Sequence, residues 1–315
     1  MLAYYVHDLS PDLIRFTDKI GVHWYGLCYV LGFYSAFLVM RHLARKGLSE
    51  IAEDKLADFI TGTAMFGVVL GGRLGFMLLY NFDELMRAPW TIIRVWDGGM
   101  ASHGGIAGVA LYLLWYARKH KLSWTGIGDT LVCGAPLGIL LVRIANFING
   151  ELFGRITNVS WAVKFPTEIH HPDFVPAVPT DLPLQNFPQH SPDILAAYQH
   201  SFGDISKFTA ILNPRHPSQL YEAAGEGLFL FAILFAMRLL FKKLPHGVLT
   251  GLFFLIYAVV RIVLENYREP DSQASMISGL SRGQFYSVFF VLTGVAFLIY
   301  GWSQSKKAPI KSEAA

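Results

Sequence analysis

The chain has 315 residues, of which 53% are hydrophobic and only 16% are charged, and its formal net charge is +3. An average soluble domain carries about 25% charged residues, so this composition favours an integral membrane protein. The small net charge, without basic runs interleaved with aromatic residues, argues against binding to nucleic acid.

Seven apolar segments are each long enough to cross a bilayer, which takes about 20 residues. They predict an all-α integral membrane protein with about seven transmembrane helices in a single polytopic membrane domain, residues 1–315. The predicted spans are 22–40, 57–79, 99–117, 126–147, 221–240, 248–265 and 284–302.

The longest loop, about residues 150–220, lies between the fourth and fifth predicted spans. It is rich in proline and contains several aromatic residues, so we interpret it as a small irregular extracytoplasmic domain. Its four histidines lack the spacing typical of zinc ligands, and we therefore expect no metal site. They are His170, His171, His190 and His200.

Lysine and arginine are concentrated in alternate loops, which sets the orientation because basic loops face the cytoplasm. This distribution predicts an extracytoplasmic N-terminus, a cytoplasmic C-terminus and the long loop outside. The residues assigned to the cytoplasmic side are Arg41, Arg45, Lys46, Lys55, Arg118, Lys119, Lys121, Lys242, Lys243, Lys306, Lys307 and Lys311.

A polar cluster closes the fourth predicted span at its outer end. Arg143 and Asn146 share one helical face, and Asn149 and Glu151 follow closely. Charged residues in a membrane span are costly and are usually retained for function. Guanidinium and amide donors on one face suit a phosphate or carboxylate ligand. The alternative is that Arg143 only pairs with an acid to hold helices together.

The sixth predicted span carries a similar stripe. Tyr257, Arg261 and Glu265 recur every fourth residue and therefore stack along one helical face. Arg261 and Glu265 are expected to pair, which lowers the cost of both charges. Together with Arg143, Arg261 would form a cationic pocket for a lipid phosphate. A purely structural Arg261–Glu265 pair is the alternative.

Further unusual residues lie at the outer ends of other spans. Tyr25 opens the first span, Gly71–Gly75 closes the second, and His103 opens the third among several glycines. Glycines beside His103 would let a headgroup or peptide backbone approach closely. Close helix packing is the alternative for the glycines of the second span. All these groups fall at one predicted face, which indicates one extracytoplasmic site shared by many helices.

Six motifs occur in order along the chain and resemble those of the prolipoprotein diacylglyceryl transferase family. One position, Val142, departs from the family signature, which has glycine before the arginine. The loop at 165–210 has no counterpart among these motifs. The motifs are H-W-Y-G (23–26), G-G-R-L-G (71–75), W-D-G-G-M-A-S-H-G-G (96–105), N-F-I-N-G-E-L-F-G-R (146–155, preceded by Arg143), R-H-P-S-Q-L-Y-E (215–222) and Y-A-V-V-R-I-V-L-E (257–265).

The resemblance implies a reaction. Members of the family move the diacylglyceryl group of phosphatidylglycerol to the lipobox cysteine thiol of a prolipoprotein. A thioether forms and sn-glycerol 1-phosphate leaves, in the first step of bacterial lipoprotein maturation. The resemblance also implies a multi-pass protein of the bacterial plasma (inner) membrane, without a cofactor.

Five residues are candidates for the chemistry. We expect Arg143 and Arg261 to bind the phosphate, since arginine offers a fixed fork of donors. His103 is a candidate base for the thiol, because its ordinary pKa near 6.5 suits proton transfer at neutral pH. Glu151 and Glu265 would orient the arginines or serve as alternative bases. Sequence does not rank His103 against a glutamate.

Four further residues are candidates for binding phosphatidylglycerol. Tyr25, Asn146 and Tyr257 would hydrogen-bond its headgroup, and Gly154 would allow close approach where the long loop begins. The main rival function is a transporter or flippase for an anionic solute or lipid. Such proteins usually bind near the membrane midplane and often have repeated halves. A structural membrane scaffold is the third possibility.

Overall fold

The computed structural model describes residues 4–17, 20–95, 98–270 and 281–307. Trp96 and Asp97 of the third motif, and Lys311 of the predicted cytoplasmic tail, lie outside the described residues.

The chain divides into two compact units, each assembled from separate stretches of sequence. The first unit comprises Met1–Gly32, Pro136–Ile233 and Leu252–Ala296. The second unit comprises Phe33–Ala135, Leu234–Gly251 and Phe297–Ala315.

Helices dominate the described residues. The α-helices are α1 (Trp24–Arg45), α2 (Leu56–Gly62), α3 (Gly71–Leu79), α4 (Phe82–Arg87), α5 (Ser102–His120), α6 (Trp124–Val132), α7 (Ala135–Asn149), α8 (Ser191–Phe202), α9 (Ile205–Ile211), α10 (Ser218–Glu222), α11 (Leu230–Leu240), α12 (Val248–Leu264) and α13 (Arg282–Lys307). Two π-helical segments, Thr63–Leu70 and Ala223–Phe229, join α2 to α3 and α10 to α11.

Several of these helices are long and apolar enough to cross a membrane. Among the described residues there are four: Trp24–Arg45, Glu53–Leu79, Ser218–Leu240 and Gly283–Gln304. A bent pair, α6 with α7, makes five if it counts as one span. α12 has 17 residues and falls short by about one turn. The predicted class, a mostly helical multispan protein, is therefore confirmed, and the count of seven stays a prediction.

The fourth predicted span, 126–147, is broken rather than continuous. α6 ends at Val132, and α7 begins at Ala135. Pro136 explains the break, because proline lacks the amide proton that a continuing helix requires. Gly134 also lies so close to Ala36 that an added Cβ would be 2.9 Å from the Ala36 Cα.

The long loop is more regular than predicted. It contains α8 and α9, and its buried core includes Phe187, Ile194 and Phe208. This small core explains why the loop folds, since apolar burial offsets the entropy of ordering it. The strands are β1 (Tyr5–Val6), β2 (Asp12–Thr17), β3 (Ile20–His23), β4 (Val163–Lys164) and β5 (Pro214–Arg215). A three-stranded sheet joins the loop, with β1 parallel to β4 and β4 antiparallel to β5. A separate hairpin consists of β2 and β3.

In the second unit, glycines pack α3 closely against α5. A Cβ added at Gly75 would lie 2.5 Å from the Gly104 Cα, and one at Gly71 would lie 2.8 Å from the Gly108 Cα. The close-packing interpretation of the second-span glycines is therefore confirmed. The expectation that the glycine next to His103 faces a substrate is wrong for Gly104, because helix α3 occupies that space.

A buried carboxylate caps the N-terminal end of helix α12, and this end of the helix belongs to the second unit. Asp129 accepts hydrogen bonds from the Gly247 amide at 2.7 Å and from the Thr250 amide and hydroxyl, each at 2.8 Å. The first amides of a helix lack partners within it. Asp129 supplies those partners from α6, so it ties the two helices together.

We expect Asp129→Ala to destabilise the protein by about 1–3 kcal/mol, because buried amide donors would lose their acceptor. Asp129→Asn keeps one acceptor oxygen and should lose less. Thermal unfolding of the purified protein in detergent, followed by circular dichroism, measures the difference. Asp58→Ala, which removes an exposed acid on α2, is the control. An unchanged midpoint in Asp129→Ala would contradict this role.

Candidate active site

Arg143 on α7 is bound by two carboxylates of the fifth predicted span. Its Nη1 lies 2.9 Å from Glu222 Oε2, and its Nη2 lies 2.9 Å from Glu226 Oε2. Nε donates a further hydrogen bond to Glu226 at 3.2 Å. The pairing of Arg143 with acids, left open by the sequence, is therefore real.

Arg261 on α12 meets the same two carboxylates. Its Nη1 lies 2.9 Å from Glu222 and 3.1 Å from Glu226. Its Nη2 lies 3.0 Å from Glu265, which confirms the pair predicted from their spacing. Arg268 adds a third guanidinium, with Nη1 3.3 Å from Glu222. We call these six residues, three arginines and three glutamates, the Arg–Glu cluster.

The two kinds of charge in this cluster differ in accessibility. The Glu222 and Glu226 side chains are fully buried, whereas those of Arg143 and Arg261 keep 16% and 12% exposure. The small accessible area of these four residues therefore comes from the two arginine side chains and not from Glu222 or Glu226.

Helical spacing places the two buried acids side by side. Glu222 and Glu226 are four residues apart on the continuous helix Ser218–Leu240 and therefore share one face. Gly227 lets α7 approach that face, since an added Cβ would lie 2.6 Å from Leu140 Cβ. Arg143, one turn beyond Leu140 on α7, is thereby brought to both carboxylates.

A second polar cluster lies at the C-terminal end of α7. The Asn146 and Asn149 amides donate to Glu151 Oε1 at 2.8 and 3.2 Å, and Asn146 also hydrogen-bonds Tyr25. Glu151 was expected to orient the arginines, but its hydrogen bonds go to the asparagines instead. Orientation of the arginines comes from Glu222, Glu226 and Glu265.

Gly154 lies where backbone segments cross. A Cβ there would lie 2.5 Å from the Tyr267 carbonyl oxygen and 2.6 Å from that of His216. Its close contact in this structure is therefore with protein backbone. The His216 ring is within 3.2 Å of the Tyr221 hydroxyl, and burial lowers the pKa of His216, which favours a neutral imidazole at pH 7.

The predicted site residues fall into two sets. Tyr25, Arg143, Asn146, Glu151, Gly154, Tyr257, Arg261 and Glu265 belong to the first unit. Tyr257 lies one turn before Arg261 and interacts electrostatically with Arg143 and Glu226. His103 belongs to the second unit, in the first turn of α5, and its part in the chemistry stays a prediction.

Three residues of the cluster had been given no role from sequence: Glu222, Glu226 and Arg268. A signal was available for the two acids. They are four residues apart in an otherwise apolar span, and buried acids require basic partners. Two arginines in other spans are the natural candidates.

Comparison with known sequences bears on this site. A sequence profile described as prolipoprotein diacylglyceryl transferase matches residues 11–300, which is most of the chain. The chain belongs to this family. Residues 11–300, which match the prolipoprotein diacylglyceryl transferase profile, contain every member of the Arg–Glu cluster and every predicted site residue.

Bacterial relatives match along nearly the whole chain. A Neisseria gonorrhoeae (strain NCCP11945) protein is 38% identical over 301 residues, covering 94% of this chain and 97% of its own length. A Proteus mirabilis (strain HI4320) protein is 35% identical over 312 residues, covering 98% of each. One from Bdellovibrio bacteriovorus is 34% identical, covering 97% and 96%. All three are named phosphatidylglycerol–prolipoprotein diacylglyceryl transferase.

Removing one buried charge should show how far the stability of the Arg–Glu cluster in this chain depends on pairing. Glu226→Leu leaves Arg143 and Arg261 each short of a partner, and we expect it to cost about 3–5 kcal/mol of stability. Adding Arg143→Met should restore part of the loss, because an apolar pair replaces a broken ion pair. Thermal unfolding in detergent measures both. Wild-type stability in the single variant would show that the cluster is dispensable to the fold.

Proposed function

We propose that this chain transfers the diacylglyceryl group of phosphatidylglycerol to the lipobox cysteine of prolipoproteins. Membership in the family and the names of near full-length relatives support this activity. The observation that carries it in the structure is a pair of arginines, Arg143 and Arg261, whose side chains keep 16% and 12% exposure while the Glu222 side chain that both contact is fully buried. It suits an anionic lipid whose reacting atom lies beside its phosphate.

Charge changes at two atoms during the reaction, the thiol sulfur and the phosphate oxygen that leaves. The thiol must lose its proton, because the thiolate is the nucleophile. Its sulfur then bonds to the glyceryl carbon, and the carbon–oxygen bond to phosphate breaks. The phosphodiester, with one negative charge, thus leaves as glycerol 1-phosphate with a second developing charge. Hydrogen-bond donors placed at that oxygen stabilise the transition state more than the ground state, and they therefore lower the barrier.

Arg143 and Arg261 are placed to supply those donors. A guanidinium group has five N–H donors. Arg143 uses two of them in hydrogen bonds to Glu226, and its Nη1 forms an ion pair with Glu222. We assign the donors outside these contacts to a phosphate oxygen of the lipid. The glutamates hold both forks in place beforehand, so little reorganisation is needed when the lipid arrives.

The neighbouring polar side chains would bind the rest of the headgroup. Asn146 lies one turn beyond Arg143 on α7 and is a neighbour of Tyr25. Tyr257 lies one turn before Arg261 on α12. Gly154 has no side chain, and this allows the backbone after Glu151 to pack directly against the backbone of Tyr267.

The base for the thiol is the open part of this mechanism. His103 is our first candidate, and Glu151 and Glu265 are the alternatives. Glu265 is already engaged by Arg261, whose Nη2 lies 3.0 Å from its Oε2. Glu151 is exposed and already accepts hydrogen bonds from two asparagines.

The membrane placement belongs to the same proposal. We propose seven spans in a bacterial plasma membrane, an outside N-terminus and a cytoplasmic C-terminus, with the Arg–Glu cluster toward the extracytoplasmic face. The four or five apolar spans and the basic loops support this arrangement. The transporter alternative is not favoured, since the relatives carry transferase names.

Purified protein mixed with phosphatidylglycerol and a lipobox peptide should yield a diacylglyceryl thioether, detected by mass spectrometry. Arg143→Lys and Arg261→Lys should each reduce kcat/KM on the order of 10²–10³-fold, because a lysine keeps the charge but loses the fork of donors. Arg41→Ala, on an exposed surface pair, is the control. Full activity in either lysine variant would remove the bidentate phosphate-binding role.

His103→Gln tests the base. If the imidazole takes the thiol proton, turnover should fall by about 10²–10⁴-fold, and activity should partly recover at high pH, where the peptide thiol ionises by itself. Rates measured from pH 6 to 9 distinguish loss of the base from a packing defect, because only loss of the base should be relieved at high pH. A near-normal rate at pH 7 would assign the base to a glutamate, and Glu151→Gln would be compared next.

A further inference from the structure

A pocket of about 410 Å³ opens in the first unit beside the Arg–Glu cluster. This volume falls within the range of about 300–1,000 Å³ that is usual for ligand sites. One wall is the segment Asn149–Phe153, which follows α7. The opposite wall comes from the long loop, at 167–172 and 189–190, a region outside the family motifs.

Two links connect the pocket to the cluster. Glu151 lines the pocket and accepts a hydrogen bond from Asn146, which lies one turn beyond Arg143. Glu269 also lines it and directly follows Arg268, whose guanidinium contacts Glu222. The pocket is therefore within a few residues of the arginines along both the segment after α7 and the segment after α12.

The chemistry of the walls excludes a second phosphate site. Among the described residues that line the pocket, none is lysine or arginine, and two are the acids Glu151 and Glu269. Carboxylates repel a phosphate but accept hydrogen bonds from amide groups. His171 accepts from the Asp173 amide through Nδ1 at 3.2 Å, so its proton is on Nε2 and is available as a donor.

The backbone at the pocket is held in an unusual conformation. Leu152 has φ of 57° and follows Gly150 with φ of 68°; a branched residue rarely adopts the left-handed region. Ser218 Oγ donates to the Leu152 carbonyl at 3.0 Å, and Gln219 donates to the Glu151 carbonyl at 2.7 Å. Such strain persists where surrounding contacts enforce it, commonly at functional sites. Here it turns Glu151 toward the pocket.

We propose that this pocket binds the acceptor polypeptide just C-terminal to its reacting cysteine. The inference rests on the proposed function, which places the cysteine at the arginines. The signal segment that precedes the cysteine lies in the membrane, and the proposed orientation places the long loop on the side where the following residues leave it. The carboxylates and imidazoles that line the pocket can accept from the N–H groups and donate to the C=O groups of an extended peptide.

The same charges predict a sequence preference. Glu151 is exposed, and Glu269 is only partly neutralised by Arg215 at 3.1 Å. Acidic residues directly after the cysteine would be repelled, while uncharged or basic residues would be accepted. The preference belongs to the polypeptide and not to the lipid.

Two lipobox peptides test the proposal, one amidated at the cysteine and one extended by four uncharged polar residues. With the wild-type protein and phosphatidylglycerol, the extension should lower the peptide KM about tenfold, as two ordinary hydrogen bonds would. The double variant Gln189→Ala/His190→Ala should lose this gain and keep the lipid KM unchanged. Both residues are exposed and line the pocket, and the His190 side chain does not cap α8.

The matched control is His200→Ala, an exposed histidine on α8 outside the pocket, which should behave as wild type. Thermal unfolding of both variants in detergent verifies that they remain folded. Equal KM values for the two peptides with wild-type protein would overturn the pocket assignment alone. A raised lipid KM in the double variant would overturn it in favour of a headgroup site. No thioether from either peptide would overturn the proposed function, and the pocket's role with it.

Discussion

The buried carboxylate of Glu222 is the contact on which the rest of the site depends. It touches guanidinium groups from three positions, Arg143, Arg261 and Arg268, and its own side chain is fully buried. An isolated charge in such surroundings would cost several kcal/mol, so each helix that supplies a partner must stay in place. The same requirement that holds α7, α10 and α12 together also fixes the positions of the three arginines.

The Arg–Glu cluster is close to neutral, because three guanidinium and three carboxylate groups balance one another. In the proposed function, the two arginines bind the phosphate of the lipid while the glutamates hold them in position. Since the groups are held beforehand, the charge that develops on a leaving phosphate is met by oriented dipoles rather than by water. A lysine in either position would supply charge without that orientation.

The long loop is part of the same functional design. It has its own apolar core, with Phe187, Ile194 and Phe208 buried, and it is anchored by the buried pair of Glu168 and Arg215. The loop forms one wall of the pocket beside Glu151. In our proposals, transfer chemistry and binding of the acceptor polypeptide therefore reside on separate parts of one unit.

Sequence alone determined the features that depend on local periodicity and composition. Apolar runs indicated a multispan helical protein, motif order indicated the family, and four-residue spacing predicted the Arg261–Glu265 pair, since both residues lie on one helix. Only the tertiary structure decided which acids meet Arg143, because Glu222 and Glu226 are about 80 residues away and their approach depends on how α7 packs at Gly227. The same holds for Glu151, whose partners proved to be Asn146 and Asn149. Periodicity fixes which residues share a face of a helix, but the partner of that face is set by packing between distant segments.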